Sequence, residues 1–369
     1  MTEPPLLLHV YATFAVGGPQ VRFAAIANRF GGAFRHAVVA MDGNTACRER
    51  LSPELDVSFP AVEIRKGDTL GNVRRFRRVL KTLKPDALVT SNWGSIEWAM
   101  ANMMMGVRHI HVEDGFGPEE RTAQLPRRVL MRRMLLRNAI VAVPSRRLWE
   151  IATGTWRLSP RRLRYIANGI DVSRFTPAGG REPHDVPVIG TVAALRPEKN
   201  LGRLLRAFAM VVAHAPCRLV IAGDGTERAG LENLAAALGV ADAVTFTGHV
   251  GDTPALYAAF DLFALSSDTE QMPLSVLEAM AAGLPVAATD VGDVRFMVAQ
   301  DNAASIVPLD DAALADSLTR LLGDHARRRR MGAANRAKAE AEFDQEAMFE
   351  AWRRLFTGAL GPCAPATPA

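Results

Sequence analysis

The sequence predicts an α/β protein of two domains, each with a doubly wound parallel sheet. Short apolar runs of strand character alternate with helical stretches throughout the 369 residues, a pattern typical of this fold class. The segment 168–187, rich in Gly, Pro and polar residues, separates five of these runs from six others and has the composition of a linker. The chain is also long enough for two cores. We therefore expect an N-terminal domain over residues 1–175 and a C-terminal domain over residues 176–344.

The N-terminal half contains five predicted strands, LLLHVYATF, HAVVAM, DALVTS, RHIHVE and AIVAVPS. Gly17 and Gly18 separate the first strand from the first predicted helix. Two glycines allow the backbone to approach a phosphate or a sugar closely, although an ordinary Gly-rich turn would look the same. The N-terminus has no basic leader, and His9 breaks its apolar run. We interpret it as a buried strand and not as a signal peptide.

The fourth of these strands leads into HIHVEDGFGPEE, residues 109–120, which gathers several titratable side chains before a Gly-Phe-Gly loop. Alternation along a strand sends His109, His111 and Glu113 to one face. Either histidine could therefore be buried structure, and Glu113 and Asp114 are the candidates nearest to the strand end.

Charge is distributed unevenly along the chain. Residues 1–175 contain 27 Lys and Arg against 15 Asp and Glu, whereas residues 176–369 contain 17 and 24. Two predicted helices, 71–84 and 125–138, mix much of this Arg with bulky apolar residues. They suit an anionic membrane surface or a lipid diphosphate acceptor. We favour nucleic acid less because no nucleic-acid-binding motif accompanies the charge, and a solvated helix face is the remaining alternative.

The C-terminal half contains six predicted strands, VPVIGTVAA, RLVIAG, AVTFTG, LFALSS, PVAATD and ASIVPL. Arg196 and Lys199 follow the first of them, at the end where an open parallel sheet binds its ligand. Two cations there can neutralise a diphosphate, and a solvated helix start is the alternative. The Gly-Asp-Gly loop after the second strand has Arg228 at the third glycine position of the dinucleotide fingerprint, so that motif fails.

The segment SSDTEQMPLSVLEAMAAGLPVAATD is the most informative because it places two carboxylates around one short helix. Pro273 suits a first helical position and Gly283 suits the residue after the helix end, which predicts a helix over about 273–282. Glu278 lies among apolar neighbours and needs a partner, because an unpaired buried carboxylate is costly. Glu270 precedes the helix, where the amides of residues 272–276 and the positive dipole end favour an anionic ligand such as phosphate.

This Glu, seven residues, Glu spacing, followed by AMAAGLPVAATD, resembles the signature of the family 4 retaining glycosyltransferases of the GT-B fold. NGIDVSRF also resembles the hinge phrase of that family. The resemblance implies two Rossmann-like parallel-sheet domains facing a central cleft. It also implies a C-terminal helix, within residues 345–360, that crosses back to the N-terminal domain. We expect the tail, 361–369, to be disordered.

The resemblance also implies roles for site residues. In the family the first glutamate and the amides after it meet the sugar and the diphosphate, and the second glutamate binds the ribose. Carried over, the sugar and diphosphate contacts belong to Glu270, Gln271, Met272, Pro273 and Leu274, and the ribose contact belongs to Glu278. The family pattern assigns Arg196 and Lys199 to the diphosphate, and it assigns the nucleotide and base surroundings to Gly223, Asp224, Gly225, His249 and Val250. Gln271 stands where the family usually has glycine, which leaves the donor sugar open.

In the N-terminal half, the family has a Gly-Gly turn where this chain has Gly17 and Gly18. Many members place a histidine near the reacting sugar at the end of the fourth strand. Residue type points to His111 for this position, whereas alignment of the strand ends points to Glu113 or Asp114. We take His111 as the sugar-side group and the two acids as acceptor-side groups.

The implied activity is transfer of a sugar, with retention, from a UDP- or GDP-linked donor to a saccharide or lipid-linked acceptor, in cell-surface polysaccharide or glycolipid synthesis. The sequence lacks an Asp-x-Asp pair, which favours neutralisation of the diphosphate by Arg196, Lys199 and a helix dipole over a metal, and we expect no cofactor. Three widely separated cysteines favour the reduced cytoplasm. The alternatives are a nucleotide-sugar 2-epimerase of the same architecture and a non-catalytic nucleotide-sugar-binding protein.

Overall fold

The computed structural model describes residues 3–120, 123–177 and 184–366, which form two compact units. The first unit holds the residues up to Ala167 together with Phe349–Thr367, and the second holds Asn168–Met348. The boundary therefore lies eight residues before the predicted one. The reason is that Asn168 donates to the Met272 carbonyl at 2.9 Å and Ile170 donates to the Phe343 carbonyl at 2.8 Å, both within the second unit.

The first unit is built on a seven-stranded parallel sheet with the strand order β3-β2-β1-β4-β5-β6-β7. The strands are β1 (Leu6–Tyr11), β2 (Arg35–Ala40), β3 (Val57–Ser58), β4 (Ala87–Ser91), β5 (Arg108–Val112), β6 (Ile140–Val143) and β7 (Leu163–Tyr165). All five predicted strands are present. The two additional strands, β3 and β7, lie at the sheet edges and have two and three residues, too few to show a hydrophobic period.

Within the described residues up to Ala167, the helices of this unit are α1 (Gly18–Phe30), α2 (Thr69–Leu83), α3 (Ile96–Asn102), α4 (Pro126–Leu135) and α5 (Arg146–Glu150). Helix α2 turns Val73, Phe76 and Leu80 into the core, and the Phe76 ring stacks on Trp98 of α3 at 4.3 Å between ring centroids. Arg74 and Arg78 are exposed on the opposite face, as the period of about 3.6 residues requires, whereas Arg75 and Arg77 are half-buried beside Phe76.

The second unit contains a six-stranded parallel sheet with the order β10-β9-β8-β11-β12-β13, so all six predicted strands are present. The strands are β8 (Val188–Val192), β9 (Arg218–Ala222), β10 (Val244–Gly248), β11 (Leu262–Leu265), β12 (Val286–Thr289) and β13 (Ile306–Val307). The strand order reverses beside β8, where β9 lies on one side and β11 on the other. In open α/β sheets, ligands bind at the carboxyl ends of the strands at such a switch point.

The helices of this unit are α6 (Leu201–Val212), α7 (Arg228–Ala237), α8 (Pro254–Ala258), α9 (Leu274–Ala281), α10 (Val294–Met297), α11 (Asp311–Leu322) and α12 (His325–Glu342). Helix α9 starts one residue after the predicted position and ends one residue earlier, because Pro273 is its N-cap and Ala282 its C-cap.

The last helix, α13 (Gln345–Thr357), contributes its residues from Phe349 onward to the first unit. Trp352 and Phe356 are buried there, and the Arg108 guanidinium donates to the carbonyls of Leu355 and Phe356. The expected return of the C-terminal helix to the N-terminal domain is confirmed.

The segment after α13 differs from the expected disorder over residues 361–369. The Tyr165 amide donates to the Cys363 carbonyl at 2.9 Å, and Arg164 donates to the Leu360 carbonyl at 2.8 Å. These hydrogen bonds place Cys363 alongside β7, an edge strand whose backbone groups need partners. Residues 367–369 of the predicted tail lie outside the described part of the chain.

Candidate active site

An ion pair between two predicted site residues lies at the carboxyl end of the second sheet. Lys199 Nζ is 2.5 Å from Glu270 Oε1, and the Ser267 hydroxyl donates to the same oxygen at 2.7 Å. The Glu270 side chain is 10% exposed and that of Lys199 24%. A carboxylate and an ammonium group are therefore held together at an accessible strand end, where each can also reach a polar ligand.

The loops that carry these two residues are tied together by a second set of contacts. Asp268 Oδ1 accepts hydrogen bonds from Asn200 Nδ2 at 3.0 Å and from the Arg203 guanidinium at 2.8 Å. Arg203 also donates to the Ser266 carbonyl at 2.8 Å, and the Asp268 amide donates to the carbonyl of Glu198. Asn200 further caps α6 by accepting from the Arg203 amide. This network fixes the distance between the Lys199 loop and the Glu270 loop.

Sequence reasoning missed Asn200, Arg203, Ser267 and Asp268. A weak signal was available for two of them: Asn200 is an N-cap residue type directly before a helix, and Asp268 is an acid in the loop after a buried strand. Arg203 is 8% exposed, and its sequence position within a helix gives no indication that it turns inward.

Helix α9 presents its N-terminus beside Glu270. The residues before and at its start, Gln271 to Leu274, include the buried Met272, so only backbone groups and the Gln271 and Leu274 side chains can meet a ligand. The Val276 amide donates to the Pro273 carbonyl and is not available, contrary to the expectation for residues 272–276. The positive end of the helix dipole remains directed at this strand end.

Glu278 has the partners that its apolar surroundings require. Burial raises the pKa of Glu278, and hydrogen bonding from Tyr257 and the charge of Arg174 partly oppose this shift. Tyr257 is itself fully buried, and its hydroxyl donates to the Ser275 carbonyl at 3.1 Å. Glu278 lies inside α9, and Tyr257 reaches it from α8.

The Gly-Asp-Gly loop has a structural explanation within the fold. Gly223 and Gly225 have φ angles of +140° and +159°, and a Cβ at either position would overlap the carbonyl oxygen of Ala193 or Leu195. The Leu195 amide donates to the Asp224 carbonyl at 3.0 Å. The glycines therefore allow this loop to support the backbone just before Arg196, which is exposed. His249 and Val250 follow β10, where His249 is exposed and Val250 half-buried.

In the first unit, the fold itself does not require the two predicted glycines. Gly17 has extended backbone with φ of −163°, and a Cβ at Gly18 would meet no atom within 4 Å. Both lie at the start of α1. Their use is thus compatible with close approach of a ligand, whereas Gly223 and Gly225 are explained by packing alone.

The groups after β5 separate into buried and accessible ones. His111 is fully buried, with Nδ1 2.8 Å from Thr90 Oγ1 and Nε2 3.4 Å from Glu113 Oε2. Glu113 is also fully buried, and its Oε2 lies 3.4 Å from Arg132 Nε. Both ring nitrogens of His111 are thus engaged inside the protein. Both side chains are therefore buried in this structure, and the sugar-side role of His111 and the acceptor-side role of Glu113 stay predictions.

Asp114 is the group nearest to the surface at this strand end. It forms a bidentate ion pair with Arg22 at 2.8 Å and 2.9 Å, and its amide donates to Asn92 Oδ1 at 2.7 Å. The Arg22 guanidinium also lies over the Trp352 ring at 5.2 Å. No sequence pattern indicated Arg22 or Asn92. The structure brings Lys199, Glu270 and the start of α9 together in the second unit, and it places Asp114 with Arg22 in the first.

Two sequence models of known families match this chain. Residues 16–174 match the model described as glycosyltransferase family 4, and residues 173–338 match the model described as glycosyl transferases group 1. The chain belongs to the family 4 glycosyltransferases.

This chain aligns with parts of two curated relatives. An exopolysaccharide phosphotransferase of Streptomyces coelicolor is 28% identical over 313 residues, which cover 83% of this chain and 31% of that protein. A GDP-mannose-dependent alpha-mannosyltransferase of Mycolicibacterium smegmatis is 34% identical over 186 residues, 47% of this chain and 46% of the relative. The chain thus spans less than half the length of these two relatives.

Among solved structures, the Anabaena protein HepE in complex with UDP-glucose matches this glycosyltransferase with a TM-score of 0.80 at 18% identity. The match covers 96% of this chain and 100% of that one. The likeness supports the GT-B fold, as expected from the sequence.

Proposed function

We propose that this protein transfers a sugar from a nucleoside diphosphate donor to a saccharide or lipid-linked acceptor, with retention of anomeric configuration. The observation that carries the proposal is the Lys199–Glu270 pair beside the N-terminus of α9. A cation, a carboxylate and a helix dipole at one strand end match the needs of a sugar diphosphate, whose phosphates are anionic and whose sugar carries hydroxyls.

In this proposal each residue has a separate task. Lys199 and Arg196 stabilise the charge that develops on the diphosphate as its bond to the sugar breaks, without a metal ion. Glu270 binds and orients the sugar, and Glu278 accepts hydrogen bonds from the ribose hydroxyls. The pKa of Glu278 is raised by burial, so hydroxyl donors from a ribose would stabilise its ionised form.

The relatives support a UDP- or GDP-linked donor. The mycobacterial relative is named for its dependence on GDP-mannose, and HepE was solved with UDP-glucose. Gln271, where the family usually has glycine, lies next to Glu270 and is our candidate for selecting the sugar. We place the reaction in the cytoplasm, in synthesis of a cell-surface polysaccharide or glycolipid. The unpaired state of all three cysteines supports this location.

A thermal-shift screen of nucleoside diphosphate sugars, followed by product analysis with the donor that stabilises the protein most, tests the proposal. We expect one donor to raise the melting temperature and to yield a glycosylated product with the donor's anomeric configuration. An isomerised donor formed without any acceptor would instead favour the 2-epimerase. Binding without turnover on any saccharide or lipid-linked acceptor would favour the non-catalytic alternative.

A further inference from the structure

Half of the first unit is rich in arginine and nearly devoid of carboxylates. No Asp or Glu occurs between Glu97 and Glu113, between Glu120 and Glu150, or between Glu150 and Asp171, and these three stretches contain 13 arginines and no lysine. They supply strands β5, β6 and β7 and helices α3, α4 and α5. The positive charge of the N-terminal half is therefore concentrated on neighbouring elements of one side of the sheet.

Several of these arginines are buried and form ion pairs inside the first unit. Arg132 is 1% exposed and forms a bidentate ion pair with Glu120 at 2.9 Å and 3.0 Å, while Arg128 lies against Glu119 and Glu120. The Arg132 guanidinium is also surrounded by the rings of three aromatic residues, Trp93, Phe116 and Trp156, with each ring centroid 5.1–5.2 Å away. The prediction that the arginines of 125–138 form one exposed basic face is therefore wrong for Arg128 and Arg132.

The exposed face of α4 and the residues just after this helix carry a different set of side chains. Arg127 and Arg137 are exposed, and between them Leu130 and Met134 are 54% and 51% exposed. Beside them, the loop after α3 exposes Met103 and Met104 to 59% and 76%. Among the described residues of the first unit, these are four of the six large apolar side chains that the solvent reaches most.

One cavity brings several of these apolar side chains and cations together. A cavity of about 370 Å³ opens between the end of α3, the end of α4 and the start of β7, and Met103, Met134, Arg137 and Arg162 line it. We call the set of Met103, Met104, Leu130, Met134, Arg127, Arg137 and Arg162 the Arg–Met surface. Its long, flexible thioether side chains adapt to irregular apolar partners, and its cations flank them.

The Arg–Met surface lies at the amino-terminal edge of the sheet. Met103 and Met104 precede β5, Arg137 precedes β6 and Arg162 precedes β7, whereas Asp114 follows β5. Five strand residues at about 3.3 Å each separate the two edges by roughly 17 Å. A partner bound to this surface would therefore leave the Asp114 edge accessible.

We infer that the Arg–Met surface docks the protein on an anionic lipid bilayer, with the methionines and Leu130 at the acyl boundary and the arginines on the headgroups. Apolar side chains interleaved with cations match an interface that is anionic outside and apolar beneath. A nucleic acid would use the arginines but would leave Met103, Met104 and Leu130 without an apolar partner. The further step, that a lipid-linked acceptor is bound at this membrane, rests on the proposed function. Binding of the protein to lipid is measured without any sugar transfer.

Co-sedimentation of the full chain with vesicles tests the inference. We expect binding to mixed phosphatidylglycerol and phosphatidylcholine vesicles that weakens with salt, and little binding to phosphatidylcholine alone. Each Arg near such a surface strengthens binding about fivefold, so Arg127→Gln, Arg137→Gln and Arg162→Gln together should weaken it about 100-fold. The double variant Leu130→Ser, Met134→Ser should weaken vesicle binding even at low salt, where the attraction between the arginines and the anionic headgroups is retained.

The matched control removes the same charge from the second unit, by Arg327→Gln, Arg329→Gln and Arg330→Gln in α12, and should bind vesicles like the unmodified protein. Each variant is compared by its melting temperature, so that misfolding is recognised. Equal sedimentation with neutral vesicles, no sedimentation with anionic ones, or an equal loss in the α12 control would overturn the inference. So would tight nucleic-acid binding that needs the three arginines but tolerates the Leu130 and Met134 changes. None of these outcomes depends on donor binding or transfer.

Discussion

Asp268 is the residue whose replacement tests most sharply how the site is held together. Asp268→Ala removes the oxygen that accepts hydrogen bonds from Asn200 at 3.0 Å and from Arg203 at 2.8 Å. Arg203 would remain buried, with the Ser266 carbonyl as a partner and Asp311 3.6 Å from its Nε. Hydrogen bonds to charged groups contribute about 1.5–3 kcal/mol each.

The magnitude is reduced by two features of the network. Asp268 is 28% exposed and is therefore partly screened by water, and Arg203 retains other partners. We expect the free energy of unfolding of the second unit to fall by about 2–3 kcal/mol, which corresponds to about 4–12 °C in melting temperature for a unit of this size. Asp268→Asn keeps an acceptor oxygen and should cost about half as much.

The assay combines thermal unfolding with titration of UDP and GDP. If the network positions Lys199 through its loop, nucleotide affinity should fall about fivefold in Asp268→Ala, the value of one loosened charge-assisted hydrogen bond. Asp310→Ala is the matched control, because it removes an N-cap bond to the Ala313 amide at 2.8 Å on α11 of the same unit. It should cost about 1 kcal/mol of stability and leave nucleotide affinity unchanged. Unchanged stability and affinity in Asp268→Ala, or an equal affinity loss in the control, would show that Asp268 does not hold the Lys199 loop in place.

Three further predictions concern charge and pH. Lys199→Ala and Arg196→Ala should each lower the rate of transfer by about 10²–10³, because each removes a cation that opposes the charge of the departing diphosphate; a change below threefold in kcat at saturating donor would count against these roles. The raised pKa of Glu278 means that burial of this carboxyl is most favourable below its ordinary value of 4.5 and becomes costly as pH rises through the raised pKa. Melting temperatures of Glu278→Gln relative to the unmodified protein should therefore increase with pH over that range, and a constant difference would contradict the shift. Burial lowers the pKa of His36 from 6.5 to about 4, so this histidine should cost the first unit about 3 kcal/mol of stability as pH falls from 6.5 to 4. His36→Asn should reduce the pH dependence in a circular-dichroism series without abolishing it, because burial also lowers the pKa values of His9 and His109.

Most of the fold was predictable from the sequence because residues that begin or end helices and strands, such as Pro and Gly, mark its elements. Pro273 and Gly283 bracket α9 and placed both of its ends within one residue of the observed bounds. The eleven predicted strands are long enough for their apolar runs to stand out. Strands β3 and β7, with the sequences VS and LRY, were missed because they contain no apolar run, whereas the equally short edge strand β13 lies within the apolar run ASIVPL.

The site was only partly predictable because its supporting contacts join distant residues. The approach of Lys199 to Glu270 followed from two strand ends in one parallel sheet, a rule that depends on topology alone. The contacts of Asp268 with Arg203, or of Tyr257 with Glu278, depend on side-chain directions that no spacing encodes. The same limit explains Arg132: its charge suggested an exposed face, but Glu120, twelve residues earlier, draws it into the interior.

The glycines of the two predicted loops look alike in sequence but differ in their structural surroundings. Gly223 and Gly225 suggested a nucleotide loop, yet their positive φ angles and the nearby carbonyls of Ala193 and Leu195 explain them without a ligand. Gly17 and Gly18 looked similar in sequence, yet no neighbouring backbone forces glycine there. Only the three-dimensional surroundings distinguish a packing requirement from a surface left open to a ligand.

Calorimetric titration of UDP and of GDP in the presence of EDTA, with the unmodified protein and with Lys199→Ala, measures whether the Lys199 site binds a nucleoside diphosphate without a metal. We expect at least one nucleotide to bind without a divalent metal, and Lys199→Ala to weaken this binding. Glu270→Gln should retain nucleotide binding but lose transfer, because its proposed partner is the sugar. Absence of binding to either nucleotide in EDTA, with recovery on addition of Mg²⁺ or Mn²⁺, or equal affinity in the Lys199→Ala variant, would contradict metal-free binding at the Lys199 site.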